Sequence, residues 1–150
     1  MLNRTKPDKR DWRAVMYSNI LIPVVADEGH DNQKGLDAAR ALATSGARFT
    51  LLHVMEPIPS IASSEIPTEV LAKVREGIAQ AMSRLGKTLP NAQVQLVSGH
   101  AGRTIVDFAN QYGSDCIVVA SHRPGLGDYF LGSTAARVVR FAQCSVHVVR

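Results

Sequence analysis

The residues whose types and spacing best suit chemistry are Gly132, Ser133 and Thr134, which close the stretch from Asp115 to Ser133. That stretch opens on Cys116 to Ala120, an apolar and mostly β-branched run that predicts a strand buried on both faces. A loop rich in Gly, Pro and Ser follows, and Ala135, Ala136, Val138 and Val139 then predict a helix. A loop that closes on a helix start gathers unpaired backbone N–H groups and the positive end of a helix dipole, which suits a phosphate. The Ser133 and Thr134 hydroxyls would join such an anion site. The same residue types are also ordinary helix caps, and the residues alone leave both readings open. In the same loop Arg123 offers a cation, to a phosphate or to solvent, and Asp128 an anion. Gly125 and Gly127 read as turn residues, because a lone Gly-x-Gly lacks the dinucleotide spacing.

Other chemistries find less support. His53, His100 and His122 fall at the ends of predicted strands and so on one sheet edge, where they could hold a metal or simply form hydrogen bonds; zinc spacing is absent. His147 lies inside the last predicted strand and reads as a packing or subunit-contact residue. The segment Gly99-His-Ala-Gly-Arg-Thr is too short for a phosphate-binding P-loop and lacks its Lys. No Ser-Gly-Gly-x-Asp-Ser loop follows the first strand. Ser121 and His122 are sequence neighbours that would point apart in an extended chain, so no Ser-His-Asp triad assembles. No base or arginine finger for ATP hydrolysis is evident, so a slow ATPase stands only as a third reading.

The elements that must position these residues alternate between strand and helix. Strand 1 is predicted over Asn19 to Val25. A polar loop from Ala26 to Asn32 leads to a helix over Gln33 to Thr44, with Leu36, Ala39, Leu42 and Ala43 on one stripe and Gly46 as its terminator. Strand 2 follows over Arg48 to Met55. The segment Glu56 to Pro67 holds three prolines, which no helix or central strand tolerates, and reads as a mobile loop or lid over the sheet's carboxyl edge. A helix over Thr68 to Leu85 with Thr68 as N-cap, strand 3 over Ala92 to Val97 and a helix over Arg103 to Tyr112 come next. Strand 4 over Cys116 to Ala120, a helix over Gly132 to Ala142 and strand 5 over Ser145 to Val149 complete the order. Such alternation predicts an α/β fold, a single-domain doubly wound five-stranded parallel sheet with right-handed crossovers and helices on both faces. Ligands then gather outside the carboxyl ends of the strands, where the strand order reverses.

Bulk properties bound the function further. A chain of 150 residues, 45% hydrophobic, suits one domain with a real core. The formal charge is +4, but residues 1–15 carry five basic and two acidic groups, so the body is nearly neutral. With no basic stripe and 5% aromatics, a nucleic-acid partner is not supported. No apolar run approaches the ~20 residues that cross a bilayer, and the expectation is a soluble, cytoplasmic protein. Cys116 and Cys144 lack Cys-x-x-Cys spacing and read as free thiols. Residues 1–15 read as a disordered tail or, with Met16 as the start, a non-native extension.

Asp115 to Ser133, together with Cys144-Ser-Val-His-Val-Val-Arg150, resembles the carboxyl-terminal signature of the universal stress protein family. The wording Ala-Ser-His-Arg-Pro at 120–124, then Leu-Gly-Ser, then Cys-Ser-Val, is most similar to the F/G-type bacterial branch. Asn19-Ile-Leu-Ile-Pro-Val and Leu51-Leu-His-Val match the family's first two strands, so the resemblance covers residues 16–150. The family's ATP loop is written Gly, two residues, Gly, nine residues, Gly, Ser or Thr. Here Gly132 and Ser133 stand at its end, Ala120 at its first Gly, and the segment to Gly132 is one residue short. The family's Asp at the end of strand 1, which faces the adenosine, is replaced by Val25. The resemblance implies a Rossmann-like domain that binds ATP or a related adenine nucleotide, with or without Mg2+, and acts through regulated protein contacts. It places the nucleotide against Pro23, Val24, Val25, Val54, Val119, Ala120, His122, Arg123, Gly132, Ser133 and Thr134, with adenine meeting the Val25 and Val54 backbone. It also implies a homodimer or tetramer held through strand 5. The alternative is an oligomeric interaction protein of the same fold that has lost the nucleotide.

Overall fold

A computed structural model of the chain describes residues 16–27, 31–59, 65–121 and 131–150. Five strands and four helices alternate: β1 (Tyr17–Pro23), α1 (Gln33–Leu42), β2 (Ala43–Met55), α2 (Thr68–Gly86), β3 (Ala92–Ser98), α3 (Ala101–Gln111), β4 (Cys116–Ala120), α4 (Ser133–Phe141) and β5 (Ser145–Val149). The strands form one parallel sheet in the order β3-β2-β1-β4-β5. Residues 1–15, 28–30, 60–64 and 122–130 lie outside the description, as do the expectations that fall on them.

Strand periodicity sorts the apolar side chains onto the two faces of the sheet. Ile20, Ile22, Leu51, Cys116 and Val118 pack on one face, with Leu36 and Ala39 of α1 and Met82 of α2. Their sequence neighbours Leu21, Leu52, Ile117 and Val119 pack on the other, with Ile105, Val106 and Ala109 of α3 and with Ala135 and Val138 of α4. The central strands are apolar on both sides because both sides are covered, the doubly wound arrangement that the sequence predicts.

Four local expectations are corrected. The helix α1 ends at Leu42 rather than Thr44, and the chain enters β2 at Ala43, opposite Tyr17. Between the Tyr17–Ala43 and Asn19–Arg48 pairs β1 advances two residues while β2 advances five. The extra length bulges out, and Gly46, at φ 75°, supplies the left-handed conformation the bulge requires rather than terminating a helix. The strand β1 runs Tyr17–Pro23, earlier than the predicted Asn19 to Val25, because Val25 has turned away from the ladder. At α2 the N-cap position is Pro67, and Thr68 is the first helical residue.

Candidate functional site

The connection β1-α1-β2-α2-β3 builds the sheet outward on one side of β1, and β4 and β5 are laid on the other. The order therefore reverses between β1 and β4, the place where open α/β sheets bind ligands. A cleft of about 490 Å³ lies there, within the usual range for small-molecule sites. Of the residues singled out from the sequence, Pro23, Val24, Val25, Val54, Val119, Ala120, Gly132, Ser133 and Thr134 line it. His122 and Arg123 belong to the segment outside the description.

The β4 side of the cleft is polar. Ala136 N–H donates to the Gly132 carbonyl at 2.8 Å, closing the first turn of α4, and among the described residues no side chain caps that turn. Its leading N–H groups and the Ser133 and Thr134 hydroxyls are thus available at the positive end of a nine-residue helix. Gly132 has φ −57°, which any residue adopts, so glycine here serves by its missing side chain. Among the described residues, a Cβ would meet nothing nearer than the Ser121 carbonyl at 3.8 Å.

On the β1 side, side chains hold most of the backbone groups. The Asn32 amide pairs with both polar groups of Val25: its Oδ1 accepts from Val25 N–H at 3.2 Å, and its Nδ2 donates to the Val25 carbonyl at 2.8 Å. Val24 N–H donates to the Leu52 carbonyl at 2.9 Å. The His53 Nδ1 lies 3.3 Å from Ala26 N and 3.1 Å from the Val24 carbonyl, accepting from the first or donating to the second according to its tautomer. Val25 itself is 40% exposed, with its backbone N–H and carbonyl turned to Asn32.

Sequence reasoning missed Asn32 and Glu56. Asn32 stands at the N-cap position of α1, yet it makes no capping bond because its amide is turned back on Val25; Asp31 Oδ1 instead accepts from Gln33 N–H at 2.9 Å. Glu56 Oε1 accepts from Ala101 N–H at 3.3 Å, placing a carboxylate at the amino end of α3 beside the cleft. An Asn seven residues from its backbone partner carries no local signal. A carboxylate 45 residues from the helix it serves carries none either.

Of the three edge histidines, His53 lines the cleft and His100 caps α3 by position. Among the described residues, no three His, Cys, Asp or Glu side chains come together as a metal site would require. His147 is exposed on β5. Both cysteines are free. Cys116 packs on the α1 face and Cys144 against the α3 and α4 face. Burial pushes the Cys116 thiol up to about 12, with smaller contributions from the neighbouring Cys144 and Asp115.

A five-stranded parallel sheet in this order, with two helices on each face and its cleft at the switch point, defines an α/β domain of the Rossmann-like class. The sequence pattern of the Universal stress protein family matches residues 16–150, and the chain belongs to that family. It is 32% identical over 142 residues to a universal stress protein of Thermus aquaticus, a match covering 90% of this chain and all of the relative. Universal stress protein G of Escherichia coli O157:H7 is 28% identical, again over 90% of this chain and 100% of the relative. The solved universal stress protein UspA from Lactobacillus plantarum superposes with a TM-score of 0.67 at 28% identity, over 90% of this chain and 99% of that one. Among the described residues no helix is long and apolar enough to cross a membrane.

Proposed function

We propose that this chain is a small cytoplasmic stress-response module that holds an adenine nucleotide, ATP or a relative, in the cleft between β1 and β4 and acts through protein contacts that the nucleotide alters. The observation that carries the reading is the pairing, across one cleft, of an uncapped helix start at Gly132-Ser133-Thr134 with an apolar wall of Val24, Val25 and Val54. Phosphates need convergent N–H and hydroxyl donors, and a purine needs a flat apolar seat. With the phosphates on α4, the base falls toward the exit of β2. Backbone donors and hydroxyls suit the anion, so an accompanying Mg2+ would be held chiefly by the phosphate oxygens. Solved proteins with this fold are in complex with AMP (Arabidopsis thaliana), dAMP (Archaeoglobus fulgidus) and cAMP, at 16%, 20% and 19% identity. At that distance they support the reading through the fold alone. The test is to denature purified protein, with and without prior incubation in ATP, and identify what is released by mass spectrometry. An adenine nucleotide near one per chain is expected; none under either condition contradicts the reading.

Self-association through β5 belongs to the same proposal. The strand β5 is an edge of the sheet, pairing with β4 on one side, and an edge offers a row of N–H and C=O groups to another chain. Ser121 N–H donates to the Val149 carbonyl, so by ladder alternation the N–H of Val148 faces the open edge. Val148→Pro therefore removes an edge donor while sparing the β4 ladder. Light scattering should show an oligomer for the parent and a shift toward monomer for the variant.

A further inference from the structure

We propose that the edge of the sheet where the strands begin is a docking surface for an anionic phospholipid membrane, which the domain meets with its cleft turned away. This surface lies opposite the cleft and works independently of what fills it. In a parallel sheet with helical crossovers, strands start and helices end on the same edge. The last turns of α1, α2 and α4 bring Arg40, Arg84 and Arg140 there, Lys87 follows α2, and Arg48 stands where β2 begins its regular pairing with β1. All five are exposed. Arg40 is paired with Asp37, but among the described residues Arg48, Arg84, Lys87 and Arg140 have no carboxylate partner. Asp115, an acid on this edge, has its oxygens on Ser18 and Asn19. At the opposite edge Asp27, Asp31, Glu56, Glu65 and Glu69 outnumber Lys34, Arg103 and Arg150. The two edges offset one another, so a nearly neutral body hides a strong polarity. Residues 1–15, with five basic groups and two acidic, join the fold at Met16, directly before β1, and so add their charge at the basic edge.

Complementing the helix dipoles accounts for a cation at each helix end. It does not account for the aromatic side chains that share the edge. Tyr112 at the end of α3 and Phe141 at the end of α4 are 56% and 50% exposed. Each ring already has partners: Tyr112 stacks on Phe108 with centroids 4.3 Å apart, and the Arg137 and Arg140 guanidinium groups lie 5.2 and 5.4 Å from the centre of the Phe141 ring. Single-stranded nucleic acid needs open ring faces on which to stack its bases. A membrane interface instead takes aromatic rings at headgroup level, beside Lys and Arg. Breadth points the same way. The cations run from α2, packed on β2 and β3, to α4, packed on β5, and so across the width of the sheet. An array that wide matches an extended layer of phosphates rather than one carboxylate in a slot.

The experiment is sedimentation of the full chain with phosphatidylcholine vesicles, plain or containing about 30% phosphatidylglycerol to supply the negative surface potential. Binding to the anionic vesicles alone is expected, falling at least about tenfold between ~50 and ~300 mM salt as the surface is screened. Each Lys or Arg near such a surface adds about fivefold in affinity, so Arg84→Glu with Lys87→Glu should weaken binding at least about twentyfold. Lys34→Glu with Lys73→Glu makes the same change of net charge nearer the other edge and should stay within about threefold of the parent. All four positions are exposed, so both variants should keep the parent's urea midpoint. Parent protein that remains in the supernatant with anionic vesicles at low salt overturns the proposal. Equal losses in the two variants reduce the effect to net charge and also overturn it. Tighter binding to a single-stranded oligonucleotide or to polyglutamate than to the vesicles overturns it by assigning the edge to a soluble polyanion.

Discussion

The two ends of β1 are held in opposite ways. At the amino end, Asp115 accepts from Ser18 N–H at 2.8 Å, the Ser18 hydroxyl at 2.9 Å and Asn19 N–H at 3.0 Å. Asn19 Nδ2 in turn donates to the Tyr112 and Gly113 carbonyls, at 3.0 and 2.8 Å. An ionised acceptor and a five-membered network thus tie β1 to the turn that precedes β4. At the carboxyl end the ties are neutral, an amide on Val25 and an imidazole on Val24 and Ala26. The contrast separates stability from recognition. A carboxylate ties the amino end, while the ties on Val24, Val25 and Ala26 beside the cleft are made by neutral side chains, across from the donors of α4.

Breaking the amino end should have the largest effect on folding. Asp115→Ala leaves three donors without their shared acceptor and should lower unfolding stability by about 3 kcal/mol in urea, with ATP affinity unchanged. A loss below about 1 kcal/mol would mean that the network adds little. At the carboxyl end, Asn32→Ala removes two neutral bonds, one partner of each partly solvated, and should cost about 1 kcal/mol. Equal losses at the two ends would dissolve the comparison.

The smallest effect is a pH dependence that belongs to the amino end, where Cys116 follows Asp115. Folding raises this thiol from 9.0 to about 12, so the folded protein holds the proton more tightly than the unfolded chain. The associated stability is complete below pH 9 and is lost progressively as pH rises from there toward 12. Between pH 9.5 and 10.5 the parent should lose about 1 kcal/mol more than Cys116→Ala does over the same interval. Parallel curves for the two proteins would show that the thiol does not titrate as its burial requires.

Much of this was legible in the residues, and the reason is local. Apolar runs at Ile20 to Val24 and Cys116 to Ala120, and helical stripes through Leu36, Met82, Ile105 and Val138, announce buried elements by period alone. The place of the cleft followed because the β-α order brings strand ends together. What the sequence hid depends on partners distant in the chain. Pairing of Ala43 with Tyr17 stops α1 early and makes Gly46 a bulge, against a helical pattern that runs on to Thr44. The turn of Asn32 back onto Val25 overrides its N-cap preference, so an apparent cap becomes a clamp on the cleft wall. Glu56 read as part of a loop until the amino end of α3 was placed beside it.

The central claim, that the open start of α4 receives the phosphates, is tested most directly by titrating ATP into the parent and into Gly132→Asp by calorimetry. Because a Cβ at this position has 3.8 Å to its nearest neighbour among the described residues and φ is −57°, the variant should unfold at the parent's urea midpoint. Its carboxylate would stand where the phosphates belong and repel them, so affinity should fall by at least about tenfold. A folded Gly132→Asp that binds ATP as tightly as the parent would contradict the account.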